Sequence, residues 1–92
     1  MKMTQTKVRN MQSPNGNDVP NQFIIESPEG RIFQSYASVI ALIKPNGDVW
    51  LDESDWDYSP TTSKYRNIFL NETSKETVAK IKSGEYELTN LN

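Results

Sequence analysis

Four carboxylates crowd the stretch holding Asp52, Glu53, Asp55 and Asp57, the densest charge in the 92-residue chain. Oxygen clusters of this kind hold hard cations or present negative charge to a basic partner. As a calcium loop the spacing fails, because Asp57 stands where the sixth-position glycine belongs and Ser63 where the bidentate glutamate belongs. Flanked by Trp50 and Trp56, the same carboxylates read as phosphate-like charge with aromatic anchors. That mixture suits a protein interface, including the nucleic-acid channel of a nuclease. The plainer reading is a solvated loop whose carboxylates favour the positive end of a following helix.

A second cluster follows directly. Ser59, Thr61, Thr62, Lys64 and Arg66 bring hydroxyls and two cations within two turns of a helix start, where unpaired amides could receive an anion or a nucleotide phosphate. No glycine-rich cradle accompanies them, and serine and threonine are also simply what caps helices. The aromatics Tyr36, Trp50, Trp56, Tyr58 and Tyr65, beside Arg31, Lys64 and Arg66, could stack unpaired bases. They could equally fill the rim of a thin core, and the neighbouring carboxylates would repel a phosphate backbone.

The absences exclude more than these clusters assert. There is no histidine and no cysteine, which removes Ser-His-Asp triads, HExxH zinc sites, thiolate nucleophiles and disulfides. Aspartate and glutamate are then the only side chains titrating in mid-range, so an enzyme would need a carboxylate pair as acid and base. The expectation is a non-enzymatic protein with no catalytic residue, metal or cofactor. A net charge of −2 lacks the basic footprint of a duplex binder. No apolar run approaches the ~20 residues of a membrane span, and residues 1–6 lack the apolar core of a signal peptide. A cytoplasmic location is expected.

These residues need a scaffold. With 35% hydrophobic and 24% charged residues, the chain has globular composition and length for one core, hence one domain over 1–92 with a loose tail at 1–4. Ser13-Pro14-Asn15-Gly16, Ser27-Pro28-Glu29-Gly30 and Lys44-Pro45-Asn46-Gly47 repeat one turn chemistry. In each, proline presets φ and glycine supplies the positive φ of a bulged hairpin. Strands are predicted at 5–12, 19–26, 31–44 and 48–53, in meander order. The third, being long, bends near 35–38 and pairs with one neighbour on each side of the bend. Beyond that bend both faces are apolar, so something must cover the second.

Ser59-Pro60 predicts a helix to about residue 70, with Thr61, Tyr65, Ile68 and Phe69 at helical spacing. Thr73-Ser74-Lys75-Glu76 is a capping box opening a helix to Ser83, with Val78 and Ile81 inward and Gly84 as the left-handed terminator. Residues 85–91 alternate as a last edge strand. The predicted fold is α+β: an antiparallel meander of four to five strands, a long bent central strand, and two short C-terminal helices on one face.

The pattern Phe33-x-Ser35-Tyr36-x-Ser38-x-Ile40-Ala41, then Leu51, then Tyr58-Ser59-x-Thr61-Thr62-x-Lys64, closing with Phe69-Leu70, resembles a family of small phage- and prophage-encoded proteins of unknown role. Tyr65 stands where that pattern often has histidine. The resemblance implies a phage accessory protein in a bacterial cytoplasm, and by analogy one acting through binding. The expected function is attachment to a host protein or protein–nucleic acid complex through Trp50, Asp52, Glu53, Asp55, Trp56 and Asp57. Inhibition of a defence complex such as a CRISPR nuclease is the specific form of that expectation. The alternative is a nucleotide or single-stranded nucleic-acid binder using Ser59, Thr61, Thr62, Lys64 and Arg66.

Overall fold

A computed structural model describes residues 6–92 and divides the ribbon predicted at 31–44 into two strands that fold back on each other. The chain runs β1 (Lys7–Gln12), β2 (Asp18–Ser27), β3 (Gly30–Ser35), β4 (Ser38–Ile43), β5 (Val49–Asp52), α1 (Pro60–Leu70), α2 (Ser74–Ser83) and β6 (Tyr86–Thr89). The tail expected at 1–4, and Gln5, lie outside the described residues. The strands form one six-stranded sheet in sequence order, antiparallel except that β6 pairs parallel with β5 at the edge. A parallel pair needs a long crossover, and residues 53–85 provide it, carrying both helices over the same face. The class is α+β as expected, with six strands rather than four to five.

The expected bend is a reversal. Ser35 pairs with Ser38 around a two-residue loop, Tyr36-Ala37. Tyr36 has φ 55°, a left-handed value that hairpin loops usually assign to glycine or asparagine. The turn is invisible in composition because neither loop residue is a turn former. Two predicted turns have the bulged geometry in full: Gly16 N donates to Ser13 O and Gly47 N to Lys44 O, each at 2.8 Å, with φ of 83° and 95°. Gly30, also at positive φ (131°), carries a second constraint, since a Cβ there would lie 2.1 Å from the Ile43 carbonyl oxygen.

Two transverse rows define the sheet's faces. Ile24, Phe33, Ala41 and Leu51 are successive register partners on the helix side, all at most 9% exposed. A bulge opposite Phe33 and Gln34 admits Ile40 as an extra residue, so that Ile40 and Ala41 are both fully buried. The alternation expected along that strand is broken there. α1 closes this face with Tyr65 and Phe69, the Phe69 ring lying 5.8 Å from that of Phe33. The buried stripe of α1 is Thr62, Tyr65, Arg66 and Phe69, whereas Thr61 and Ile68 face outward. In α2 it is Thr77 that is buried, and Val78 is exposed.

The opposite face carries the row Val8, Ile25, Ile32, Leu42 and Trp50, again successive partners. Among the described residues no helix or strand covers it. The four inner members are partly exposed and Val8 is 61% exposed, and none belongs to the core cluster. The two helices expected as cover lie on the Phe33–Ala41 side, and among the described residues they leave this face open.

The caps fall as predicted. The Ser59 hydroxyl accepts from Thr62 N, Thr73 and Glu76 form a reciprocal capping box, and Gly84 ends α2 at φ 84°. Glu72, between the helices and 3% exposed at its side chain, gathers hydrogen bonds from Lys80 Nζ (2.8 Å), the Tyr86 hydroxyl (2.6 Å) and the Thr77 hydroxyl. Burial pushes its pKa up, but those three donors outweigh burial and the net direction is down. Burial and the same carboxylate raise the Tyr86 phenol to about 12. α2 and β6 are thus tied to the interhelix joint by one carboxylate.

Candidate functional site

Trp50 and Trp56, grouped by sequence, stand on opposite sides of the sheet. Trp50 belongs to the bare row, with the Lys44 ammonium 4.1 Å from its ring centroid. Trp56 packs on the core beneath α1, and the Arg66 guanidinium lies 5.1 Å from its ring. Asp52 is 2% exposed and accepts three backbone N–H groups: Ser54 and Asp55 from its own turn, and Leu91 at 2.9 Å. Burial raises its pKa and these hydrogen bonds lower it further than burial raises it. Asp52 therefore anchors the C-terminal segment, whose Asn92 amide pairs with both N–H and C=O of Val39.

The remaining carboxylates border one exposed turn. Glu53 and Asp57 face solvent and Asp55 is partly exposed. Asp57 accepts from the Ser63 hydroxyl and from Arg66 Nη1 (3.1 Å), which together hold its carboxyl below the ordinary range. Among the described residues no three acidic side chains converge as a metal site requires. What survives of the predicted acidic surface is Glu53, Asp55 and the outer side of Asp57.

The cluster expected to receive an anion is largely built into the fold. Arg66 is fully buried. It donates to Trp56 O (2.8 Å), Asp57, Asn67 Oδ1 (2.9 Å) and Ser74 Oγ (2.9 Å), joining the acidic turn to both helices. Thr62 is fully buried and shares a 2.9 Å hydrogen bond with Ser35 Oγ, and Ser59 is the helix cap. Thr61 and Lys64 remain exposed. The helical period explains this division, since Thr62 and Arg66 lie one turn apart on the inward stripe.

A groove of about 610 Å³ lies where the Tyr36-Ala37 reversal meets the start of α1. Ile40 and Ser35 contribute to its wall, and Tyr36, Ser38, Tyr58 and Thr61 reach it from two distant segments. Both tyrosines are exposed, Tyr36 at 49% and Tyr58 at 68%. Tyr36 is also locked: its N–H donates to Asn21 O (2.6 Å), its C=O accepts from Gln34 Nε2 (2.9 Å), and Asn21 is itself left-handed at φ 66°. A non-glycine residue in this region costs ~1–3 kcal/mol, which the surrounding bonds must offset. The lining draws on both halves of the Ser35-Tyr36-x-Ser38-x-Ile40 and Tyr58-Ser59-x-Thr61 pattern. Sequence alone points to the carboxylates after β5 and not to this groove, because nothing local marks Tyr36 as the apex of a turn.

The chain belongs to a family of unknown function, DUF8033, whose sequence model matches residues 6–86. No curated protein and no solved structure matches it. Among the described residues no helix is long and apolar enough to cross a membrane.

Proposed function

We propose that this is a non-enzymatic binding protein that docks on a host protein or protein–nucleic acid complex through the Tyr36–Tyr58 groove and the acidic turn beside it. The observation that carries the reading is the strained, doubly tethered Tyr36, held outward with Tyr58 at the lip of an apolar-based groove. Tyrosine anchors at a groove, with Glu53 and Asp55 on the turn that leads into Tyr58, match the anatomy of interface hot spots. Glu53 and Asp55 would steer a basic partner surface. The likeness to phage-encoded proteins supports a bacterial defence complex, such as a CRISPR nuclease, as the partner, with inhibition by occlusion of its nucleic-acid channel. The nucleotide-binding alternative draws less support, because Thr62 and Arg66 are engaged inside the fold.

The test is co-elution and nuclease inhibition with a purified defence ribonucleoprotein. Comparison is made with Tyr36→Ala/Tyr58→Ala and with Glu53→Lys/Asp55→Lys. A stoichiometric complex weakened at least ~10-fold by each double variant is expected. A complex indifferent to both variants contradicts the surface. Tight binding of a labelled oligonucleotide by the free protein would favour the alternative.

A further inference from the structure

The uncovered face of the sheet is the largest feature that the proposed function does not use. Its centre is a continuous apolar row, Val8, Ile25, Ile32, Leu42 and Trp50, flanked by Phe23 and Val39. No charged side chain interrupts that row. The amides beside it are partly engaged within the chain: Asn10 Nδ2 donates to Val19 O and Gln34 Nε2 to Tyr36 O, each at 2.9 Å. Covering the face would therefore strand no group from the apolar row itself, and the amide nitrogens at its border each keep one partner.

We propose that two copies of this chain pair through this face, stacking sheet on sheet as a sandwich. Three observations select a second copy over another occupant. Sheets of the same twist pack aligned, with facing side chains interdigitating about 10 Å apart, and an identical sheet has the matching twist by construction. Six strands at about 4.8 Å spacing, of four to ten residues and averaging about 20 Å in length, give a face of about 500 Å² in projection. Two such faces bury about 1,000 Å² before side-chain relief is counted, the lower threshold for a specific interface. The charges bordering Trp50 are of opposite sign, Lys44 over its ring and Glu87 as its register partner, so a second copy brings no like-charged rim. A nucleic acid would find no cationic stripe here.

Sedimentation equilibrium of the full chain over about 1 to 100 micromolar, the range in which a minimal interface dissociates, reads the outcome. The expected result is a concentration-dependent shift from the 10.5 kDa chain mass to twice that value. Val8→Lys is chosen because its side chain is already exposed in the single chain, so the variant keeps its fold. It should weaken association at least about tenfold, and Leu42→Lys by more. Val78→Lys, on the outer side of α2, should change nothing. A monomer throughout the range, a dimer unaffected by Val8→Lys and Leu42→Lys, or a monomer that instead binds neutral phosphatidylcholine vesicles would each overturn the proposal. None of these outcomes depends on the Tyr36–Tyr58 groove.

Discussion

The rows Ile24-Phe33-Ala41-Leu51 and Ile25-Ile32-Leu42-Trp50 lie one residue apart on the same four strands and are comparably apolar. The first is sealed by α1 and α2 to at most 9% exposure, while the second stays partly open. Composition does not distinguish them. The difference comes from connectivity: the parallel β5–β6 pairing sends the whole crossover to one side, and the sealed side is then fastened by buried polar clamps that, among the described residues, the open side lacks. Arg66 fastens α1 to the acidic turn and to Ser74, and Glu72 fastens α2 to β6. The contrast sorts mutations by face.

The largest loss is expected at the Arg66 clamp. Arg66→Ala empties a fully buried site and strands Trp56 O and Asn67 Oδ1, for a cost of about 3–5 kcal/mol in urea unfolding. Arg66→Lys should recover only part, because an ammonium cannot reach acceptors that the guanidinium fork spans. Glu72→Gln follows at about 1.5–3 kcal/mol, since three hydrogen bonds to a charged acceptor are weakened together. Its folded pKa lies below the ordinary 4.5, so its contribution is complete above that value and disappears as pH falls through the folded one. Urea midpoints should therefore drop on acidification in the native chain and drop less steeply in Glu72→Gln, where the lowered carboxyls of Asp52 and Asp57 remain. At the alkaline end Tyr86, raised from 10 to about 12, stabilises below pH 10 and loses that contribution between the two values.

Smaller effects test the same division. Gln22 is 1% exposed on the sealed face, and neither its Nε2 nor its Oε1 has a partner among the described residues. Gln22→Leu keeps the volume and removes the stranded amide, and should raise stability by about 1 kcal/mol. Val8→Thr on the open face should stay within about 0.5 kcal/mol at low protein concentration.

Much of this architecture is legible in the residues. Proline and glycine at fixed offsets mark the turns at Ser13 and Lys44, and Ser59-Pro60 and Thr73-x-x-Glu76 mark both helix starts, because backbone chemistry at these points is local. The reversal at Tyr36-Ala37 is hidden because distant bonds, from Asn21 O and the Gln34 amide, impose the left-handed backbone. The roles of Asp52, Thr62 and Arg66 are hidden for a related reason. Residue type reads them as surface chemistry, and only the packing of α1 and the return of the C-terminal segment turn them inward. The groove, assembled from residues some twenty positions apart, becomes visible only once α1 is docked.

The two faces can be compared with a single residue type. Leu51 on β5 is fully buried under the helices, and Leu42 on the adjacent β4 lies on the open face, one residue beyond Ala41, the register partner of Leu51. Leu51→Ala and Leu42→Ala should be unfolded in urea at a concentration where the chain is monomeric. A loss of about 3–5 kcal/mol is expected for the first and about 1 kcal/mol for the second. Equal losses would mean that both faces are closed, and that the asymmetry described above does not exist in solution.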